Sequence, residues 1–89
     1  MTTGYCSTTG TNGAITVSFA SLNIPDGAKV GSIILSPRYG SNSTSMYTWY
    51  TAQVNNMNGI NIYGRYVNNG AITHASSFDF NYCIFYVMD

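Results

Sequence analysis

The sequence predicts a small antiparallel β-sandwich of about six strands, and three observations carry that expectation. Good helix formers are scarce: the 89 residues include two Leu and no Glu. Ile, Val and Thr number 8, 5 and 10, and the chain is 15% aromatic, a mixture that suits pleated strands. Short segments of alternating apolar and polar residues recur between turn signals, which is the spacing of a small all-β domain.

Residues 4–9 are the first strand candidate, closed by a turn at Thr11-Asn12-Gly13. Ile15, Val17 and Phe19 alternate with Thr16 and Ser18, the signature of a half-buried strand that runs through Phe19. Ile24-Pro25-Asp26-Gly27 is turn chemistry, with Pro25 expected at the second turn position. Residues 29–36 contain Val30, Ile33, Ile34 and Leu35, a pattern expected of a strand covered on both faces until Pro37 stops it. Residues 40–45 read as a flexible polar loop.

Residues 46–54 and 60–67 flank the Asn-rich segment Asn55-Asn56-Met57-Asn58-Gly59 and are expected to form a hairpin. With Val54 opposite Ile60, the register sets Ala52 against Ile62, Tyr50 against Gly64 and Thr48 against Tyr66 on one face. The other face then carries Gln53 with Asn61, Thr51 with Tyr63, Trp49 with Arg65 and Tyr47 with Val67. An Asn-Gly turn at Asn69-Gly70 adds a further strand, pairing Val67 with Ile72 and Arg65 with His74. Ala75-Ser76-Ser77 interrupts the pattern. Residues 78–88 form the last strand, apolar on both sides and so expected mid-sheet or in a subunit interface. The 89 residues read as one domain with no repeat or linker.

Charge narrows the function. Three bases, Lys29, Arg38 and Arg65, balance three acids, Asp26, Asp79 and Asp89, and charged residues make up 7% of the chain. Such a chain has no electrostatic footprint for nucleic acid or an anionic membrane. No apolar run is long enough for a membrane helix, and Met1-Thr-Thr-Gly lacks a basic start and an apolar signal core, so a soluble chain is expected. Asn, Ser, Thr and Gly together make 39 of the 89 residues, a surface chemistry like that of antibody paratopes, which combine aromatic area with adaptable hydrogen bonding. A domain this small is marginal alone, and oligomerisation is one way to supply buried area. Cys6 and Cys83 are expected as reduced, buried thiols, since the sequence gives no secretory context for oxidation and each sits in an apolar or strand-like setting; neither has a second Cys or a His at metal-ligand spacing.

The segments Ile15-Thr-Val-Ser-Phe19, Ile24-Pro25, Leu35-Ser-Pro37, Gly59-Ile-Asn-Ile-Tyr63 and the closing Phe78-Asp-Phe-Asn-Tyr-Cys-Ile-Phe-Tyr-Val87 resemble the C-terminal receptor-binding knob domains of phage tail fibres and the related H-type lectin sandwiches. That group typically ends in Phe-x-Trp-x-Ala; here Phe80-Asn81-Tyr82-Cys83-Ile84 takes the place, with Tyr82 for the usual Trp, and Val87-Met88-Asp89 runs past the customary stop. The resemblance covers most of the chain from residue 14 onward. It implies the C-terminal tip of a longer fibre, a homotrimer on the virion tail, made in the bacterial cytoplasm, that binds a bacterial cell-surface glycan during host adsorption. It transfers no particular binding residue.

Sugars are held by aromatic faces packed on C–H surfaces and by planar polar groups forked onto hydroxyls. Tyr47, Trp49, Gln53, Asn61, Tyr63, Arg65 and His74 offer those groups on one expected face, and Arg38 and Tyr39 are the large side chains at the start of the 37–46 loop. The bland alternative is a cross-strand ladder in which Arg65 stacks on Trp49 by cation–π attraction and covers the sheet, or a face buried between subunits. No enzyme is expected. His74, Ser76, Ser77 and Asp79 lie too close along the chain to converge on one atom, and a glycosidase needs two carboxylates where only Asp26 and Asp79 are internal. No cofactor or metal is expected. The alternative readings are a structural virion domain making subunit contacts and a free-standing lectin.

Overall fold

The computed structural model describes residues 1–38, 48–55, 59–68 and 70–88. Seven strands, β1 (Thr2–Thr9), β2 (Ala14–Ser18), β3 (Lys29–Pro37), β4 (Thr48–Asn55), β5 (Gly59–Asn68), β6 (Ala71–His74) and β7 (Ser77–Val87), form two antiparallel sheets. One sheet has the order β1-β7-β3. The other has the order β2-β5-β4, with β6 also paired to β5. Because β4 occupies one flank of β5 from Gly59 to Tyr66, β2 and β6 must share the opposite flank, β2 along Gly59–Tyr63 and β6 along Arg65–Asn68. The expected sandwich is therefore present, with seven strands among the described residues.

The core follows from period-two alternation in β7, the central strand of its sheet. Phe78, Phe80, Tyr82 and Ile84 turn inward and are buried, while Asp79, Asn81, Cys83 and Phe85 occupy the other face. Ile60 and Ile62 of β5, Ile15 of β2, and Phe19, Leu22 and Ile24 complete the buried cluster between the sheets. Burying a side chain of this size contributes about 1.5–3 kcal/mol relative to leaving it in water. No helix among the described residues is long and apolar enough to cross a membrane.

Both hairpin registers are as the turns predict. Val54 faces Ile60, Ala52 faces Ile62, Tyr50 faces Gly64, Trp49 faces Arg65, and β6 sets His74 against Arg65 and Ile72 against Val67. The Asn12-Gly13 turn has positive φ at both central residues (54° and 76°) and is closed by Thr11 and Ala14, a type I′ turn that carries the chain from one sheet to the other. The 40–45 loop, residues 56–58 and Asn69 lie outside the described residues.

Four local expectations are corrected. The second strand ends at Ser18, not Phe19: the Ser18 hydroxyl accepts the Ser21 N–H at 3.2 Å, and Phe19 takes αR geometry at the head of a 3₁₀ turn over Ala20–Leu22. The turn near Pro25 runs from Pro25 to Ala28, with the Ala28 N–H donating to the Pro25 carbonyl at 3.2 Å and Gly27 at φ 80°; Pro25 is thus its first residue.

Third, β3 is an edge strand covered on one face only. A register shift at Gly31 turns Val30, Ile33 and Leu35 toward the core and leaves Ile34 56% exposed. The bulge accounts for an apolar run that looked two-sided. Fourth, the thiols are free but half-buried. Cys6 packs against the core opposite Phe80, and Cys83 lies on the outward face opposite Thr3 and Ile34. Cys6 and Cys83 meet different residues of their paired strands and face opposite sides of the sheet, which accounts for the absence of a bond between them.

Candidate functional site: the outer face of the four-stranded sheet

The face of β2, β5, β4 and β6 that points away from the core is built by alternation alone. In β5 it takes Asn61, Tyr63 and Arg65; in β4, Trp49, Thr51 and Gln53; in β6, Ile72 and His74; in β2, Ala14, Thr16 and Ser18. Trp49, Arg65 and His74 lie in one row across three strands. One row further along, Ala14, Tyr63 and Thr51 are aligned, then Thr16, Asn61 and Gln53.

Trp49 is 51% exposed and Tyr63 37%, so both present aromatic surface to solvent. Gln53 and His74 are exposed, Asn61 and Arg65 half-buried. Asn61 is oriented by its neighbours: its Oδ1 accepts from Thr16 Oγ1 at 2.9 Å and from Asn55 Nδ2 at 3.3 Å. That arrangement commits the amide oxygen and leaves the amide N–H groups as donors to a ligand. β2, β4, β5 and β6 contain no Asp or Glu.

Arg65 does not stack on Trp49. Its Nη1 donates to the carbonyl of Gly64 at 3.0 Å and reaches that of Gly13 at 3.5 Å, so the guanidinium is held at the point where β2 gives way to β6 along β5. The same point explains Gly64: its N–H donates to the Gly13 carbonyl at 2.9 Å, and its carbonyl accepts the Ala75 N–H at 3.1 Å.

Arg38 belongs elsewhere. Its guanidinium carbon lies 3.6 Å from the centroid of the Tyr5 ring, and Nη1 is 3.5 Å from Asp79 Oδ1, all on the outer face of the three-stranded sheet. Arg38 is thereby separated from the Trp49 face by the thickness of the sandwich. Tyr39 and Tyr47 lie outside the described residues. His74 and Asp79 sit on outer faces of different sheets, so the chain segment from His74 to Asp79 does not gather a nucleophile and base. Among the described residues no group of three His, Cys, Asp or Glu side chains converges as a metal site.

The sequence singled out Arg38 and an outward apolar side of the last strand, but not that both share the outer face of the three-stranded sheet with Tyr5 and Asp79. Beside the cluster of Arg38, Asp79 and the exposed Tyr5, that face exposes Ile34, Phe85 and Val87. Beneath it, Tyr50 reaches across the core: its hydroxyl accepts the Asp79 N–H at 3.3 Å. Burial pushes the Tyr50 phenol up from its ordinary value, the hydrogen bond to the Asp79 backbone opposing and the nearby Asp79 charge adding to the rise. Burial, then the Asp79 charge, likewise raises the Cys6 thiol.

Fold and face define a class of molecule: an antiparallel β-sandwich that presents an aromatic and amide-rich sheet surface. Comparison with protein-family models, curated proteins and solved structures finds no match.

Proposed function

We propose that this chain is a non-catalytic carbohydrate-binding domain of the phage tail-fibre tip kind, which attaches to bacterial surface glycan through the outer face of its four-stranded sheet. The observation that carries the reading is Trp49 and Tyr63, both solvent-exposed on one face, with Asn61 and Gln53 in the row beyond Tyr63. Flat aromatic rings cover the C–H faces of a sugar, and oriented amides answer its hydroxyl groups without requiring charge. The resemblance of the strand pattern to fibre knobs supports the same reading and suggests a homotrimer.

The test is adsorption of the labelled domain to bacterial envelope preparations and a glycan array, with Trp49→Ala beside the parent chain. Retained thermal stability and loss of binding in Trp49→Ala support the proposal. Failure of the parent chain to bind any envelope or glycan overturns it.

A second reading, a structural virion domain, is favoured by the exposed Tyr5, Ile34, Phe85 and Val87 on the opposite sheet. Large apolar side chains exposed on one face mark subunit contacts as readily as ligand contacts. The two readings are compatible if each sheet serves one role.

A further inference from the structure

The chain is neutral as a whole, but its acids are unevenly spread over its two outer faces. On the three-stranded sheet Arg38 is met by Asp79 at 3.5 Å. On the four-stranded sheet Arg65 has carbonyl partners and no acidic partner among the described residues, and β2, β4, β5 and β6 contain neither Asp nor Glu.

A second basic group lies beside it. A Cβ placed on Gly13 would come within 2.6 Å of Arg65 Nη1 and 2.8 Å of His74 Nδ1, so both side chains converge over the bare backbone of Gly13. The turn holds Gly13 at φ 76°, a conformation that favours glycine, and the space its own side chain would take is filled by Arg65 and His74. The Gly64 and Gly13 carbonyls anchor Nη1, which orients the guanidinium while leaving Nε and Nη2 as donors. Trp49 lies next to Arg65 across the β4–β5 pair, and Tyr63 is two residues back on the same face of β5.

We propose that the Gly13–Arg65–His74 notch binds the oxyanion of an acidic saccharide, with the sugar ring against Trp49 and Tyr63. This rests on the carbohydrate reading above and narrows it to sugars bearing a carboxylate or a phosphate. A planar guanidinium matches both groups with paired N–H donors, and such charge-assisted bonds are about twice as strong as neutral ones.

The experiment is calorimetric and NMR titration of the full chain with D-glucuronate, D-glucose 1-phosphate and D-glucose, following the Trp49 indole N–H. The expected result is that at least one anionic sugar binds about tenfold tighter than glucose, the factor one charge-assisted hydrogen bond supplies. The preferred anion identifies carboxylate or phosphate as the source. Arg65→Gln is expected to bring the ratio close to one, and His74→Gln, at an exposed position, to reduce it without unfolding the chain.

Equal binding of all three sugars, insensitive to Arg65→Gln, overturns the notch and leaves the carbohydrate reading in place. Binding of none of them also overturns the notch, and the envelope assay then decides the carbohydrate reading separately.

Discussion

Tyr50 lies across the bare backbone of Gly64, its cross-strand partner. A methyl group on Gly64 would meet Tyr50 Cε1 at 3.2 Å, Phe78 Cε2 at 2.9 Å and Ala75 Cβ at 3.0 Å. The same ring packs against Phe78 and Phe80 at centroid distances of 5.9 and 5.4 Å. The absence of a side chain at Gly64 is thus what lets the two sheets close around the aromatic cluster. Gly64→Ala is expected to destabilise the fold by about 1–3 kcal/mol, the range for overpacking a filled core. Tyr50→Phe keeps the ring and loses the hydroxyl bridge to Asp79, at a cost of about 1 kcal/mol. Urea denaturation of both variants checks the order; a neutral Gly64→Ala contradicts the packing account.

The contact between Tyr50 and Gly64 was legible in the sequence because the turns on either side of β5 set its register. Asn-Gly chemistry at residues 69–70 and the Val54–Ile60 pairing act locally, and alternation then placed Trp49, Tyr63 and Arg65 on one face. What was not legible depends on distant pairing or on single residues. The Tyr5–Arg38–Asp79 cluster needs β1 and β3 to flank β7, which no turn specifies. The bulge at Gly31 shifts the inward phase of β3 by one residue, and no alternation rule marks where that happens. The Gly13 notch arises because two separate strands, β2 and β6, end against the same residue of β5.

Stability is expected to fall at alkaline pH. Cys6 and Tyr50 both hold their protons more tightly in the folded chain than at their ordinary values of 9.0 and 10.0, chiefly because burial disfavours the thiolate and phenolate. The unfolded chain therefore loses these protons first. Their contribution is fully present below pH 9.0 and is lost as pH rises through the higher folded values. Thermal midpoints measured from neutral pH upward should be flat and then decline above that point, with a shallower decline in Cys6→Ala. An unchanged midpoint well above pH 10.0 contradicts this.

The outer face of the three-stranded sheet is expected to mediate self-association. Ile34 and Phe85 are exposed on adjacent strands, with Cys83 between them and Val87 beyond, and β3 is a sheet edge. Light scattering should find the parent chain as an oligomer. Ile34→Lys combined with Phe85→Lys should give a monomer whose circular dichroism still reports a β fold. A parent chain that is monomeric at every concentration removes the proposed trimer and the small-core argument for it.

Gly13 and Gly27 provide a paired test of the notch, since both have positive φ, 76° and 80°, and only one has neighbours. A Cβ on Gly27 meets nothing within 4 Å. Gly27→Ala therefore carries the left-handed backbone term alone, about 1 kcal/mol. At Gly13 the added methyl meets Arg65 Nη1, His74 Nδ1 and, at 3.0 Å, the Gly64 carbonyl oxygen. The two side chains can swing aside at little cost, but that carbonyl is fixed by its bond from the Ala75 N–H at 3.1 Å. Gly13→Ala is therefore expected to cost about 2–3 kcal/mol, the backbone term plus a local overpacking term. It should also displace the Arg65 guanidinium from the Gly13 and Gly64 carbonyls, visible as shifts of the Arg65 and His74 side-chain resonances that Gly27→Ala does not produce. Equal costs for the two variants, with Arg65 and His74 undisturbed, mean that these side chains do not converge over Gly13.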